Sequence, residues 1–213
     1  MNTNNCPKLE FKFSKKPIYS FFKRFFDILL SIIAIIVLII PFAIVSIWIF
    51  YKDSGSPLFA QERIGRNGKP FKMYKFRSMY KDAEERKEYL MDLNEDEGAL
   101  FKIENDPRIL GKRGKFIRKT SIDELPQLIN ILKGDMSIIG PRPFVPEEHK
   151  LLAKERELIR PGLSCYWQIN GKNGLSTEMS NYYDKKYIME RSLWTDIKII
   201  FKTVAVVFKN ENG

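Results

Sequence analysis

The sequence predicts a mixed α/β fold: a small α/β domain joined to an N-terminal membrane helix, with amphipathic helices lying at the membrane interface. Three observations predict it. A charge-free apolar run of membrane length stands near the N-terminus. Short segments of alternating character, punctuated by Gly and Pro, follow it. The final stretch spaces its apolar residues as a helix does, with lysines between them.

The apolar run covers 28–50, ILLSIIAIIVLIIPFAIVSIWIF, and only Ser31, Pro41 and Ser46 interrupt it. As a helix it would be roughly 35 Å long, enough to cross a hydrocarbon core of about 30 Å. Aromatic residues flank it, with Phe21, Phe22, Phe25 and Phe26 before and Trp48, Phe50 and Tyr51 at its end. Such belts mark a membrane–water interface. Basic residues stand on both sides: Lys12, Lys15, Lys16, Lys23 and Arg24 before, Lys52, Arg63, Arg66, Lys69, Lys72 and Lys75 after. Positive charge favours the cytoplasmic side, so both ends are drawn there. A re-entrant helix broken at Pro41 satisfies this. A kinked spanning helix is the alternative, because proline is tolerated in membranes.

Beyond Tyr51 the pattern predicts a strand around Leu58–Ile64, a turn at Arg66-Asn67-Gly68 and a strand around Phe71–Met79, together a hairpin. Residues 81–93 read as a charged helix. Pro107, Gly111 and Gly114 mark loops. A short amphipathic helix over 122–133 ends at Gly134. Pro141 and Pro143 exclude regular structure, and a helix over 146–159 begins at Pro146 and stops before Pro161. Trp194, Ile197, Ile200, Phe201, Val204, Val207 and Phe208, with Lys198, Lys202 and Lys209 between them, predict an interfacial amphipathic helix over 194–208.

The chain of 213 residues has 36 Lys+Arg against 26 Asp+Glu, a net charge of +10. That surplus favours polyanionic partners: nucleic acid, anionic lipid or phosphorylated substrates. Cys6 and Cys165 lie far apart and outside metal-ligand spacing, which argues against a disulfide framework or a zinc site. The one histidine, His149, sits in a charged stretch and reads as a solvated surface residue. No Walker loop and no dinucleotide-binding glycine motif occurs. No recognition helix or basic–aromatic platform suggests a nucleic-acid binder.

Three clusters could carry chemistry. In the segment 118–128, RKTSIDELPQL, the adjacent carboxylates Asp123 and Glu124 stand near Arg118 and Lys119. Ser121 and Glu124 have the spacing of a capping box, a purely structural explanation; a carboxylate nucleophile or metal ligand is the chemical one. In 134–143, GDMSIIGPRP, Pro141 and Pro143 hold Arg142 in a rigid loop, suited to gripping two phosphate oxygens. A structural turn with a solvated arginine is the alternative. In 72–79, KMYKFRSM, Lys75 and Arg77 share one face of a strand and could add phosphate contacts or merely face solvent.

Taken together and in order, these stretches resemble the bacterial sugar transferase family, the monotopic phosphoglycosyl transferases. The resemblance is carried by KRFFD (23–27), PLFAQERIG (57–65), KFRSM (75–79), DPRI (106–109), SIDELPQLINILKGDMSIIGPRP (121–143), RPGL (160–163), WQINGKN (167–173) and SLWTDIK (192–198). It covers residues 20–208. It implies a basic arm over 1–22, a re-entrant membrane helix over 23–51 broken near Pro41, and a cytoplasmic catalytic domain over 52–213. The implied activity is transfer of a sugar 1-phosphate from a UDP-sugar to undecaprenyl phosphate, the first step of capsule, exopolysaccharide, O-antigen or glycoprotein glycan assembly. It further implies Asp123 as nucleophile in an aspartyl phosphosugar intermediate, Glu124 as its acidic partner, and Mg2+ held at Asp123 and Glu124. Lys75, Arg118 and Arg142 match its basic, phosphate-holding positions; Arg77, on the strand face with Lys75, and Pro141, beside Arg142, join them as candidate substrate-binding residues, and the inner membrane's cytoplasmic face is the location it implies. Longer relatives carry an additional multi-span region, so the resemblance reads this chain as a minimal catalytic unit. Ser164-Cys165 and Lys172 depart from the family pattern in a region tied to donor selection, which leaves the sugar open. The oligomeric state, including self-association, is also open. A non-enzymatic basic protein bound to anionic lipid accounts for charge and anchor but not for Asp123-Glu124 beside Arg118 and Arg142.

Overall fold

The computed structural model describes residues 9–93, 103, 105–170 and 176–208. Helix α1, Pro17–Phe50, starts with proline at its first turn, where a missing N–H costs nothing. A hairpin follows, β1 (Leu58–Ile64) antiparallel to β2 (Pro70–Phe76), with Leu58 opposite Phe76 and Ile64 opposite Pro70. Then come α2 (Ala83–Glu88), α3 (Gly111–Lys119), a 3-10 turn (Ile122–Glu124), α4 (Gln127–Lys133), β3 (Ser137–Ile139) and α5 (Pro146–His149). A 3-10 helix (Lys154–Leu158), β4 (Gly162–Ser164), α6 (Tyr166–Ile169), α7 (Thr177–Glu190) and α8 (Leu193–Phe208) complete the chain. Strands β3 and β4 pair in parallel. The fold is mixed α/β with a long apolar helix at the N-terminus, as expected.

Helix α1 is the spine. Ala34, Ile35, Leu38 and Phe42 pack on Met73, Leu128, Ile131 and Met136. Phe42, Val45 and Trp48 pack, beside the buried Ile49, on Phe76, Leu110 and Ile117. Pro41 sits inside α1 and does not end it. The structure therefore has one helix where a break was expected. Proline removes one backbone bond, and packing of both flanking turns on one core holds the helical path through the gap.

The first turns of α1 are tied down by polar contacts. Lys23 Nζ meets Asp196 Oδ2 at 2.9 Å. Arg24 donates to the carbonyls of Ile131 (2.6 Å) and Leu132 (3.1 Å), satisfying the end of α4. Asp27 is buried and accepts from Ser137 Oγ (2.7 Å) and the Ile138 N–H (3.1 Å). At the other end Arg113 donates to Trp48 O at 3.1 Å.

Several local expectations differ from the structure. The stretch holding Gly111 and Gly114 is helix α3, not a loop. A Cβ at Gly114 would stand 2.3 Å from Ser78 O; the glycine is there for close approach. The charged segment 81–93 is helical only over Ala83–Glu88, with a 3-10 turn at Met91–Leu93. The region 146–159 divides into α5 and the 3-10 helix. The ladder of β2 ends at Phe76, before Met79, which makes an isolated bridge to Ile109. His149 is not a freely solvated residue: Nε2 lies 2.9 Å from Glu157 Oε1.

Candidate active site

Asp123 and Glu124 lie on the 3-10 turn Ile122–Glu124. Ser121 precedes it with φ 55, a left-handed conformation that non-glycine residues seldom adopt. The capping-box reading fails there, because no side chain caps the turn; instead the Glu124 N–H donates to Ser121 O at 3.1 Å. Pro126 then starts α4, so the carboxylates stand in an irregular turn rather than inside a helix.

The turn is held against β2 by Asn130, which is fully buried. Its Oδ1 accepts from the Tyr74 N–H at 2.9 Å, and Nδ2 donates to Lys72 O at 2.7 Å. The amide thus replaces a neighbouring strand on that edge of β2. Lys75, the next residue of the strand, directs Nζ to 3.6 Å from Glu124 Oε1. Arg142 Nη1 approaches the same oxygen at 3.9 Å, and Gln168 Nε2 donates to Glu124 Oε2 at 3.4 Å. These side chains, with Met73, Gln127, Pro143, Gly162 and Leu163, line one narrow cleft.

The loop carrying Arg142 is built by close backbone crossing. A Cβ on Gly162 would fall 2.0 Å from Gly140 N. Only glycine lets β4 pass the start of this loop. Pro141 is fully buried and its carbonyl accepts from the Gly162 N–H at 2.9 Å. Arg63 donates to Pro143 O at 3.4 Å, and the Ile64 N–H to Phe144 O at 3.0 Å. The Arg142 guanidinium lies 5.0 Å from the Trp167 ring centroid, a cation–π contact that keeps it extended toward Glu124.

Cations are crowded here. Burial pulls the Lys75 ammonium below its usual pKa; Glu124 and Asp123 oppose that, and Arg142 and Arg63 reinforce it. Burial, helped by Arg142, brings Arg63 down to about 10. Lys75 and Arg142 thus face the cleft beside the Glu124 carboxylate, two cations within reach of any anion that enters it. Behind it, Cys165 is buried with Sγ 3.7 Å from Gln168 Oε1, and burial raises its thiol pKa.

The structure thus brings together Lys75, Glu124 and Arg142, adjacent to Asp123, with Pro141 as a structural support. It does not bring Arg77 to them. Asp53, in the turn after α1, takes that guanidinium instead, with Oδ2 3.6 Å from Nη1. Arg118 is exposed in the last turn of α3, and its charge is felt at Asp106. Burial pushes the Asp106 carboxyl up, but Arg108 hydrogen bonds and charge, with Arg118, hold it below the usual range. Lys172 lies outside the described residues. Arg63, Asn130 and Gln168 support the site; all three lie inside stretches that carry the resemblance, but their roles rest on partners far along the chain and are not readable from those stretches.

Among the described residues no three His, Cys, Asp or Glu side chains form a metal cage. The Asp123–Glu124 pair nevertheless fits Mg2+, which takes one or two carboxylates and completes its shell with substrate phosphates and water.

The sequence profile of the bacterial sugar transferase family matches residues 18–210. The chain is 41% identical over 204 residues to the UDP-galactose-lipid carrier transferase of Erwinia amylovora. It is 40% identical over 203 residues to the undecaprenyl-phosphate galactose phosphotransferase of Salmonella typhimurium. Each alignment covers 91% of this chain but 42% of the relative, so the chain spans less than half the length of these proteins. It is also 38% identical to the exopolysaccharide production protein ExoY of Rhizobium meliloti, covering 90% of this chain and 88% of ExoY. With its profile matched from the start of α1 to the end of α8, the chain belongs to the bacterial sugar transferase family.

Proposed function

We propose that this protein transfers a sugar 1-phosphate from a UDP-sugar to undecaprenyl phosphate at the cytoplasmic face of the bacterial inner membrane. The observation that carries the reading is the convergence of Lys75 and Arg142 on Glu124, one residue from Asp123. Relatives are named for galactose, N-acetylgalactosamine and glucose transfer, so a UDP-hexose is the donor class.

In this mechanism Lys75 and Arg142 grip the donor diphosphate. A carboxylate oxygen of Asp123 attacks the sugar-bearing phosphorus, the bond to UMP breaks, and UMP leaves. An oxygen of undecaprenyl phosphate then attacks the same phosphorus. The aspartyl bond breaks, Asp123 regains its charge, and a polyprenyl diphosphate sugar is released. Glu124, adjacent to the nucleophile, orients the acceptor phosphate and shares any cation with Asp123. Mg2+, when bound, supplies charge neutralisation, the main need of phosphoryl transfer.

The helix geometry supports a monotopic placement. About 38 Å of helix separates Lys23 from Trp48, yet both ends contact one domain, through Asp196 and Arg113. A straight span would put those contacts on opposite sides of the bilayer. Exposed Ile36, Val37, Ile40, Ile44 and Ile47 offer an apolar face for burial in one leaflet. Detergent-solubilised protein given a UDP-hexose panel, undecaprenyl phosphate and Mg2+ should release UMP with at least one donor. Lipid binding without turnover on any donor would refute the activity.

A further inference from the structure

Glu124 lines two cavities. One is the polar cleft with Lys75 and Arg142. The other is a groove of about 240 Å³ running between the Thr120–Leu125 segment and α8. The walls of the groove are aliphatic: Leu125, Ile138, Leu163, Ile200, Val204 and Val207. Among the described residues Glu124, at the junction, is its one charged lining residue. Three of its hydroxyls are engaged: Ser164 Oγ and Thr203 Oγ1 lie 2.5 Å apart, Thr203 donates to Ile199 O at 2.8 Å, and Thr120 donates to Phe116 O at 2.8 Å.

We infer that this groove holds the first isoprenoid units of the acceptor lipid, with its phosphate directed to Glu124 and Lys75. The inference rests on the polyprenyl-phosphate reading proposed above and assigns it a location. Three features commit the groove to that occupant. A nucleotide sugar needs cations and many hydrogen bonds; Lys75 and Arg142 line the neighbouring cleft and most of the groove's own lining is apolar, whereas an apolar chain gains from every aliphatic wall atom it covers. The groove ends at the cleft that would bind phosphate, so an amphiphile with one phosphate head and an apolar tail fits both cavities at once. Val204 lines the groove and also belongs to an exposed stripe of α8 with Trp194, Ile197 and Phe201. That stripe is the interfacial face of an amphipathic helix, so the groove opens where a lipid tail would leave the bilayer.

Two rim substitutions, Val204→Trp and Val207→Trp, test it by filling the groove. Each should raise KM for undecaprenyl phosphate about tenfold, the effect of expelling roughly two methylenes from an apolar site, while KM for the UDP-sugar stays within about twofold. Unchanged KM for undecaprenyl phosphate in folded variants would overturn the assignment. A second measurement needs no variant and no turnover. A diazirine-bearing polyprenyl phosphate, photolysed with the wild-type protein, should label peptides of α8 and of 120–125. Undecaprenyl phosphate should displace it and phosphatidylglycerol should not. Labelling confined to α1, or equal displacement by phosphatidylglycerol, would also overturn it. If wild-type protein turns over no UDP-sugar, the enzymatic reading falls, and the labelling pattern still reports on the groove.

Discussion

Lys75 Nζ stands 3.6 Å from Glu124 Oε1, although the two residues belong to a strand and a turn separated by two helices in the chain. Asn130 makes this possible by bonding α4 to the backbone of β2 on either side of Met73. The acidic pair and the neighbouring cations are thereby held in one frame, the positioning that the proposed phosphoryl transfer would require.

Replacing Asn130 should therefore harm stability before chemistry. Asn130→Leu leaves the Tyr74 N–H and Lys72 carbonyl without a partner, at about 1–3 kcal/mol for each buried group. Thermal or urea unfolding should show a loss of roughly that size. A change within about 0.5 kcal/mol, the range of ordinary surface substitutions, would mean that the amide does not join these elements.

Removing the Arg142 guanidinium should lower kcat/KM at least about tenfold, or roughly 1.4 kcal/mol of barrier. Arg77→Ala should affect activity less, because Arg77 is spent on Asp53 outside the cleft. Steady-state kinetics on both variants check the order; a larger loss in Arg77→Ala would reverse the assignment.

Chelation should silence the enzyme, with activity restored by Mg2+, because Asp123 and Glu124 offer the hard oxygens that this ion prefers. UMP release in excess EDTA is the readout. Full activity there would remove the metal from the mechanism.

If α1 is buried in one leaflet rather than spanning the bilayer, both of its flanks lie in the cytoplasm. Cys6 reports this in a Cys165→Ser background. An impermeant thiol reagent should miss Cys6 in intact cells and reach it after lysis. Labelling from outside intact cells would show a spanning helix.

Local features were legible in the sequence. Alternation and a turn tripeptide located β1 to the residue, and helical spacing located α8 within one residue of its start. Helix α3 was hidden because Gly114 acts through a contact with Ser78, and composition cannot show a contact. The pairing of β3 with β4 and the buried role of Asn130 are long-range and equally invisible. Asp27 did carry a signal: a carboxylate beside an apolar segment needs a partner, and the structure supplies Ser137 and the Ile138 N–H. At the site, the structure brings Lys75, Glu124 and Arg142, residues the resemblance singles out, beside Asp123, whereas strand alternation groups Arg77 with Lys75 and cannot show the competing carboxylate of Asp53.

The central claim is that Asp123 takes the sugar phosphate before the lipid does. Exchange of labelled UMP into UDP-sugar, measured without any polyprenyl phosphate, tests it most directly. The account predicts exchange in the wild-type protein, loss of it in folded Asp123→Asn, and severe impairment in Glu124→Gln. Absence of exchange in an enzyme that turns over when lipid is added, or undiminished exchange in Asp123→Asn, would contradict it.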